Sequence, residues 1–320
     1  MKFKKILVTG GCGFIGSNFL EIFLKKYNKI SFLNIDNLTY ASNKEQHHKF
    51  SQFKNYKFKK VDIGNFNKIN KEIKNFKPEI IFHFAAESHV DNSILDPDKF
   101  IKTNIFGTVN ILRAINQKIK FVHISTDEVY GHVENNKGFS EKTKYNPRSP
   151  YSVSKASSDF FVKAWANTYG LNYLILNCCN NFGPYQHKEK FIPIIINSIL
   201  KKKKIPLYGS GKQKREWIYV EDFVNAIEFL VKKNVRNQTF VIGSKYRETN
   251  LNLIKKIKSI LQKKFNIQAL ENIFIKVKDR PGHDFEYKIN STKINKLGWK
   301  TKTNLSIGLE NTIKYYLKEK

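Results

Sequence analysis

The sequence predicts an α/β fold with a doubly wound parallel sheet, followed by a smaller α/β lobe. Short apolar runs alternate with helix-like stretches as far as residue 177, and this alternation is typical of parallel strands with helices on both faces. A glycine-rich turn separates the first apolar run from the first helical stretch. Beyond about residue 180 the alternation becomes irregular and prolines interrupt it. The predicted division is 1–180 for the sheet and 181–320 for the lobe, some of whose strands return to the sheet.

The individual elements follow from hydrophobic periodicity along the chain. Residues 4–9 form a strand-length apolar run, and apolar residues then recur at helical spacing from Phe19 to Tyr27. Further strands are predicted at 30–36, 56–63, 80–85, 121–125 and 171–177. Helices are predicted at 100–116 and 152–169, and a strand–helix–strand unit is predicted between 239 and 278.

Composition narrows the class of protein. The formal charge is +30, yet only six of the 57 basic residues are arginine and the lysines are scattered through the chain. Base recognition and bidentate phosphate binding favour arginine, so the charge indicates a lysine-rich solvated surface and no nucleic-acid partner. No apolar stretch approaches the roughly 18 residues of a membrane span. Three cysteines, two of them adjacent, and a start that does not match a signal peptide predict a cytoplasmic chain.

The first turn has the spacing of a dinucleotide site. Gly10, Gly13 and Gly16 lie between a strand and a helix, where glycines let the backbone approach a pyrophosphate at the helix N-terminus. Asp36 ends the second strand, where a carboxylate accepts hydrogen bonds from ribose hydroxyls and repels a 2′-phosphate. Asp62 and Ile63 end the third predicted strand. The sequence therefore predicts a Rossmann-type sheet that binds NAD in preference to NADP.

A tyrosine and a lysine lie one helical turn apart, at Tyr151 and Lys155. A neighbouring ammonium and a positive nicotinamide both favour the phenolate, so we expect the pKa of Tyr151 to be lowered. Tyr151 can then take a proton from a substrate hydroxyl while hydride leaves for NAD.

Two carboxylates stand side by side at Asp127 and Glu128, directly after the predicted strand at 121–125. A bare Asp-Glu pair is typical of a solvated turn. Here the pair lies along the chain between the glycine-rich turn and the Tyr-Lys pair, so it is also a candidate for a catalytic role.

Several motifs resemble the extended short-chain dehydrogenase/reductase family and, within it, the dTDP-glucose 4,6-dehydratases. They span nearly the whole chain and read TGGCGFIGSNF, DNLTYASN, HFAAESHVDNSI, TNIFGT, HISTDEVYG, SPYSVSKASSD, NCCNNFGPYQ, EKFIP, REWIYVEDF, DRPGHD and LGW. The Tyr-Lys pair belongs to the broad family, whereas TDEVYG and AAESHVD are narrower. The resemblance implies oxidation at C4 of the sugar, elimination of water across C5 and C6, and return of hydride to C6.

The resemblance also implies roles for individual residues. Glu128 would be the base at C5, Asp127 the acid at C6, and Thr126 would bond the C4 oxygen beside Tyr151. The implied cofactor residues, besides the glycines, Asp36, Tyr151 and Lys155, are Phe14, Ile15, Asn37, Leu38, Thr39, Asp62, Ile63, Phe84, Ala85, Ala86, Thr103 and Asn181. The implied substrate residues are Ser88, Thr126, Asn180, Glu189, Lys190, Pro206, Tyr208, Arg215, Asn250, Arg280 and His283. The resemblance implies no metal. It does imply a homodimer, paired through the helices at 100–116 and 152–169.

The sequence departs from the family pattern at three places, one of which is a short segment after Gly131. Asn92 stands where the family usually has arginine, and the printed sequence ends soon after an amphipathic stretch at 313–317, where longer members carry a nucleotide-contacting tyrosine. UDP- and CDP-sugars are therefore alternatives to dTDP-glucose. A UDP-sugar 4-epimerase is an alternative within the same fold, and a non-catalytic NAD-binding regulator is one from a different class.

Overall fold

The computed structural model describes residues 1–133, 138–277 and 284–318. Its strands are β1 (Lys5–Thr9), β2 (Ser31–Asp36), β3 (Tyr56–Lys60), β4 (Ile80–His83), β5 (Lys120–Thr126), β6 (Asn172–Cys178), β7 (Asn180–Phe182), β8 (Ile205–Tyr208), β9 (Lys214–Tyr219), β10 (Gln238–Ile242), β11 (Arg247–Thr249) and β12 (Phe274–Val277). Its α-helices are α1 (Phe14–Lys26), α2 (Lys44–Phe50), α3 (Phe66–Phe76), α4 (Val90–Leu95), α5 (Pro97–Phe100), α6 (Gly107–Ala114), α7 (Pro150–Tyr169), α8 (Phe191–Leu200), α9 (Val220–Lys232), α10 (Asn250–Phe265), α11 (Thr292–Lys296) and α12 (Leu305–Lys318). Within these described ranges, no helix is both long and apolar enough to cross a membrane.

Seven parallel strands form the central sheet in the order β10-β6-β5-β4-β1-β2-β3. The chain begins at β1, builds outward to β3, and then returns to the other side of β1 with β4. The strand order therefore reverses between β1 and β4, which is the point where such sheets bind ligands at the carboxyl ends of their strands. The predicted doubly wound α/β fold is confirmed.

Helix α7 carries the predicted Tyr-Lys pair and begins with strong local signals. Ser149 and Ser152 form a capping box, Pro150 occupies the first turn, and Gly170 ends the helix at φ +69°. Proline is preorganised for a first helical turn and glycine accepts a left-handed terminus without strain. The sequence therefore fixes both ends of this helix locally.

The single helix predicted at 100–116 is wrong in its first half. Residues Ile101–Phe106 form a π-helix, and α6 follows from Gly107 to Ala114. The carbonyl of Asn104 accepts hydrogen bonds from the hydroxyls of Thr108 and Ser158, both at 2.6 Å. The widened turn shows in the amide of Gly107, which donates to the carbonyl of Lys102 five residues back.

Two apolar clusters cover the faces of the central sheet, and a third forms the core of the C-terminal part. The third cluster includes residues of α8, α10 and α12, and it contains no residue before Phe182 in the part of the chain described. Strand β10 nevertheless pairs with β6 in the central sheet. The division at residue 180 stays a prediction.

Candidate active site

A cavity of about 370 Å³ opens at the carboxyl ends of β1, β4 and β5. Sixteen of the residues that the sequence pointed to line it together: Gly10, Gly13, Phe14, Ile15, Gly16, Phe84, Ala86, Ser88, Thr126, Glu128, Tyr151, Lys155, Asn180, Asn181, Glu189 and Lys190. These residues come both from the predicted sheet region, 1–180, and from the predicted lobe, 181–320. The cavity therefore joins the glycine-rich turn to the carboxylate and tyrosine positions.

Steric contacts make glycine necessary in the first turn. Gly10 has φ +72°, and a Cβ there would lie 2.4 Å from the amide nitrogen of Ala85. A Cβ on Gly16 would lie 2.3 Å from the carbonyl oxygen of Gly10. Gly13 begins α1 without a side-chain cap, so the first amides of the helix point toward the cavity without a capping side chain. This is the geometry that binds a pyrophosphate.

The carboxylate of Asp36 is buried at the end of β2, beside the glycine-rich turn. It accepts hydrogen bonds from the amide of Cys12 at 2.9 Å, the amide of Leu38 at 2.8 Å and the hydroxyl of Ser42 at 3.1 Å. A carboxylate has about four acceptor positions, so one position remains for a ribose hydroxyl. Asp36 thus also holds the turn and the loop that follows β2.

Other predicted cofactor residues lie along the same sheet edge but outside the cavity wall. Asp62 accepts hydrogen bonds from the amide of Gly64 at 2.7 Å and from the Asn37 side chain at 3.1 Å, which links the ends of β2 and β3. Thr39, Ile63, Ala85 and Thr103 are also absent from the lining residues. The close backbone approach at Gly10 and Gly16, the uncapped start of α1 and the placement of Asp36 together fit a dinucleotide.

The two adjacent carboxyl groups have different surroundings. A 3₁₀ turn, Asp127–Tyr130, follows β5 directly, and the Thr126 hydroxyl caps it by accepting from the amide of Glu128 at 3.2 Å. Glu128 lines the cavity, whereas Asp127 is 1% exposed and does not. Burial raises the pKa of Asp127 well above its usual range, and the charges of Glu128 and Glu216 raise it further. Asp127 therefore holds a proton at a pH where exposed carboxyl groups are ionised.

Tyr151 and Lys155 lie one turn apart on α7, and both line the cavity. The Lys155 ammonium donates to the carbonyl of Ile124 at 2.8 Å, and burial lowers its pKa to about 8. In the protein alone, burial and the charge of Glu128 raise the pKa of Tyr151 well above its usual range. The expected lowering of this pKa is therefore not a property of the protein side chains by themselves.

A buried polar network beneath the cavity was missed from the sequence. The carboxylate of Asp159 accepts hydrogen bonds from Ser125 at 3.0 Å, Tyr145 at 2.8 Å and Asn177 at 3.0 Å. His123 Nε2 lies 3.2 Å from its other oxygen. The helical spacing of Asp159 from Lys155 was the available signal, because it puts both on one face of α7.

The predicted substrate residues divide into two groups. Ser88, Asn180, Glu189 and Lys190 line the cavity, and Lys190 donates to the carbonyl of Ser88 at 2.8 Å. Pro206, Tyr208, Arg215 and Asn250 lie in β8, β9 and α10, outside its wall. Arg280 and His283 lie outside the described residues.

Arg215 is buried rather than extended into solvent. Its guanidinium donates to the carbonyls of Lys214 at 2.9 Å, Phe285 at 3.2 Å and Asp284 at 2.7 Å, and it stacks 4.3 Å from the Tyr287 ring centroid. A guanidinium has five N–H donors, and three of them are used by these bonds to described residues. Its charge also lowers the pKa of Asp127, against the larger effect of burial.

Further lining residues were not identified from the sequence. They are Ala41, His89, Val90, Ile124, Ser125, Cys178, Cys179, Gln186, His187, Phe191 and Trp217. All but His187 lie within the quoted motifs, but no role was assigned to them, because which motif residues face the cavity depends on how separate loops meet.

The fold and the cavity define a dinucleotide-binding α/β protein of the short-chain dehydrogenase type. The family model for GDP-mannose 4,6-dehydratase matches residues 7–312, and the chain belongs to this family. A dTDP-glucose 4,6-dehydratase from Haemophilus influenzae is 40% identical over 330 residues, which cover 98% of this chain and 97% of the relative. The resemblance predicted from the motifs is confirmed.

Solved structures give the same relationship. A dTDP-glucose 4,6-dehydratase from Streptomyces venezuelae with NAD and dTDP bound superposes with a TM-score of 0.91 at 36% identity, covering 98% of this chain and 97% of the other. A UDP-glucose 4-epimerase from Thermotoga maritima with UDP-glucose gives 0.89 at 28% identity, covering 98% and 99%. Because the two backbones fit almost equally well, the fold alone does not choose between their reactions.

Proposed function

We propose that this chain is an NAD-dependent dTDP-glucose 4,6-dehydratase, which converts dTDP-glucose to dTDP-4-keto-6-deoxyglucose and water. One observation carries the choice of reaction: two adjacent carboxyl groups at the end of β5 have opposite environments, Glu128 on the cavity wall and Asp127 buried with a raised pKa. Elimination of water needs a base and an acid at neighbouring carbons, and this pair can supply both. The full-length relatives support the same reaction.

NAD is the cofactor, and when bound it would take a hydride from C4 and return it to C6. Gly10, Gly13, Gly16 and the start of α1 would hold its pyrophosphate. Asp36 would hold the ribose. The remaining predicted cofactor residues extend this binding surface along the carboxyl ends of the strands.

Tyr151 would take the proton of the C4 hydroxyl in the first step. Thr126 would hydrogen-bond the same oxygen, since its hydroxyl lies beside the phenol. Lys155 would stabilise the phenolate electrostatically, because an ammonium favours the ionised form of a neighbouring phenol. These residues line one cavity.

Glu128 would remove the proton from C5, and Asp127 would donate a proton to the C6 hydroxyl as it leaves. The C5 hydrogen is acidic only once C4 is a ketone, so oxidation must come first. The raised pKa of Asp127 supports its role as the acid, since the group then carries a proton to give.

The C-terminal part, 181–320, would bind the nucleotide diphosphate. Arg215 and Arg280 are proposed to grip the diphosphate, because arginine binds phosphates in bidentate geometry. The other predicted substrate residues would complete the site around sugar and base. The relative with dTDP bound supports thymine as the base.

The protein is also proposed to act in the cytoplasm as a symmetric homodimer. Apolar side chains of α4, the π-helix and α7 are exposed, including Leu95 at 83%, Phe106 at 56% and Phe160 at 55%. A second copy of the chain would cover this surface in an isologous interface.

Product analysis by mass spectrometry tests the function. The enzyme is incubated separately with dTDP-glucose, UDP-glucose and CDP-glucose. A product of dTDP-glucose that is lighter by one water supports the proposal. An isomer of unchanged mass would identify a 4-epimerase, and no product from any of the sugars would favour a non-catalytic NAD-binding protein.

A further inference from the structure

One face of α7 carries three buried polar residues at successive turns. Tyr151, Lys155 and Asp159 are four residues apart, and their exposed fractions are 9%, 3% and 0%. Side chains at this spacing are neighbours on a helix, with about 5–6 Å between their Cβ atoms. The proposed function uses the first two and leaves the third without a role.

A carboxylate this deeply buried must be compensated. Asp159 receives hydrogen bonds from Ser125, Tyr145 and Asn177, with His123 at 3.2 Å. Burial raises the pKa of Asp159, but the contact with His123, the charge of Lys155 and the hydrogen bond from Tyr145 together lower it below its usual range. Asp159 is therefore a fixed negative charge in the protein interior, which a purely apolar packing role would not require.

Lys155 interacts electrostatically with four described groups from the elements around it. His83 on β4, His123 on β5 and Cys178 on β6 are the neutral ones: burial lowers the pKa of His83 well below its usual range and that of His123 to about 4, and burial raises that of Cys178 to about 12. The fourth is Asp159, which opposes the effect of burial on Lys155. At neutral pH, the ionised group among these four is Asp159.

We propose that Asp159 is a positioning residue that keeps Lys155 in its ammonium form beneath Tyr151. The inference rests on the proposed function, because it assigns Lys155 a role in oxidising C4. The same carboxylate also fixes the end of β5, because Asn177 donates both to Asp159 and to the carbonyl of Thr126 at 3.2 Å.

Asp159→Asn removes the charge and keeps the shape. The amide oxygen can accept from Ser125, Tyr145 and Asn177, while the amide nitrogen faces His123, whose neutral ring can accept at Nε2 in its other tautomer. Tyr145→Phe is the matched control, because it removes one hydrogen bond from the same carboxylate and leaves its charge in place.

Two readouts separate charge from structure. The first is the pH dependence of NADH formation in a single turnover with dTDP-glucose, and the second is the pH dependence of Lys155 acetylation by acetic anhydride, followed by peptide mass spectrometry. Without the carboxylate the pKa of Lys155 should fall, so both profiles of Asp159→Asn should move to lower pH by about one unit or more. The profiles of Tyr145→Phe should stay where those of the wild type lie.

The outcomes distinguish this inference from the proposed function. Wild-type protein that forms no NADH contradicts the function, whereas the acetylation profile still tests the charge on Lys155. A folded Asp159→Asn enzyme with both profiles unchanged would overturn the inference. If the single variant Asp159→Asn does not fold, the double variant Lys155→Met, Asp159→Asn should fold, because removing the ammonium as well leaves no uncompensated buried charge. Failure of this double variant to fold would also contradict the charge pairing.

Discussion

Asp36 gives the sharpest test of the cofactor site, because its carboxylate has a structural role in the turn and a proposed role in binding the ribose. Asp36→Ala removes the acceptor of two backbone amides, those of Cys12 and Leu38. An unsatisfied buried amide costs about 1–3 kcal/mol, so the free energy of unfolding should fall by about 1–3 kcal/mol through the buried Cys12 amide, and by less through the part-buried Leu38 amide. Loss of the ribose hydrogen bond should separately weaken NAD binding by about 1–3 kcal/mol, which is about 5- to 150-fold in Kd.

Denaturant unfolding measures the first effect, and titration with NAD and with NADP measures the second. Asp222→Ala is the matched control, since the buried Asp222 also accepts two backbone amides, those of Lys302 and Thr303, and lies outside the proposed cofactor site. We expect Asp36→Ala alone to narrow the preference for NAD over NADP, because the carboxylate no longer repels a 2′-phosphate. An unchanged preference, with Kd values like those of the control, would refute the placement of Asp36 at the ribose.

Three further predictions concern packing, pH and assembly. Gly16→Ala should weaken NAD binding at least 10-fold in calorimetry, because a Cβ would lie 2.3 Å from the backbone of Gly10; wild-type affinity would contradict this. Because the pKa of His123 is lowered to about 4 in the folded protein, the unfolded chain binds more protons than the folded chain does as the pH falls below about 6.5. Between pH 7 and pH 4, the free energy of unfolding of the wild type should therefore fall by about 3 kcal/mol more than that of His123→Gln. Parallel plots of unfolding free energy against pH for the two proteins would contradict this. Leu95→Asp with Phe106→Asp should give a 37.5 kDa monomer by light scattering, against a wild-type dimer; equal masses would contradict the interface.

The glycine-rich turn and α7 were predictable because their signals are local. Gly16 is required by close backbone contacts with Gly10 within the same turn, and Gly10 by its φ of +72° as well as by the approach of Ala85; Ser149, Pro150 and Gly170 set the ends of a helix by capping. Such signals depend on few neighbours. The parallel sheet was equally accessible, since its buried strands are continuous apolar runs.

Features that depend on distant contacts could not be predicted. The π-helix at Ile101–Phe106 breaks a helical periodicity that looks regular in the sequence, and the hydroxyl of Ser158 on α7 contacts it at the carbonyl of Asn104. The return of β10 to the central sheet follows from packing rather than from periodicity. Asp159 has an ordinary sequence context, and its importance comes from three strands and loops that converge on it.

The different surroundings and roles of the two adjacent carboxyl groups were predicted in part. The sequence placed Asp127 and Glu128 at a strand end, and the family resemblance assigned them an acid and a base role. Only the structure shows that Asp127 is 1% exposed while Glu128 lines the cavity. Adjacent residues in a tight turn point in different directions, and which one is buried depends on the surrounding fold.

The order of the chemical steps can be tested with the same two residues. Asp127→Asn should still exchange solvent deuterium into C5, because removal of that proton does not need the C6 acid. Water loss should fall by about 10²–10⁴-fold, the usual effect of a missing general acid. Tyr151→Phe should block NADH formation, which rapid mixing would show, and NADH formation at the wild-type rate would contradict its role.

The most direct measurement is made on Glu128→Gln mixed with dTDP-glucose in deuterated solvent. Oxidation at C4 needs Tyr151, Lys155 and NAD but not Glu128, so NADH absorbance should rise and persist with sugar bound. Mass spectrometry of the recovered sugar should then show no deuterium at C5 and no loss of water. A Glu128→Gln enzyme that dehydrates dTDP-glucose at a rate near that of the wild type would contradict the assignment of Glu128 as the C5 base.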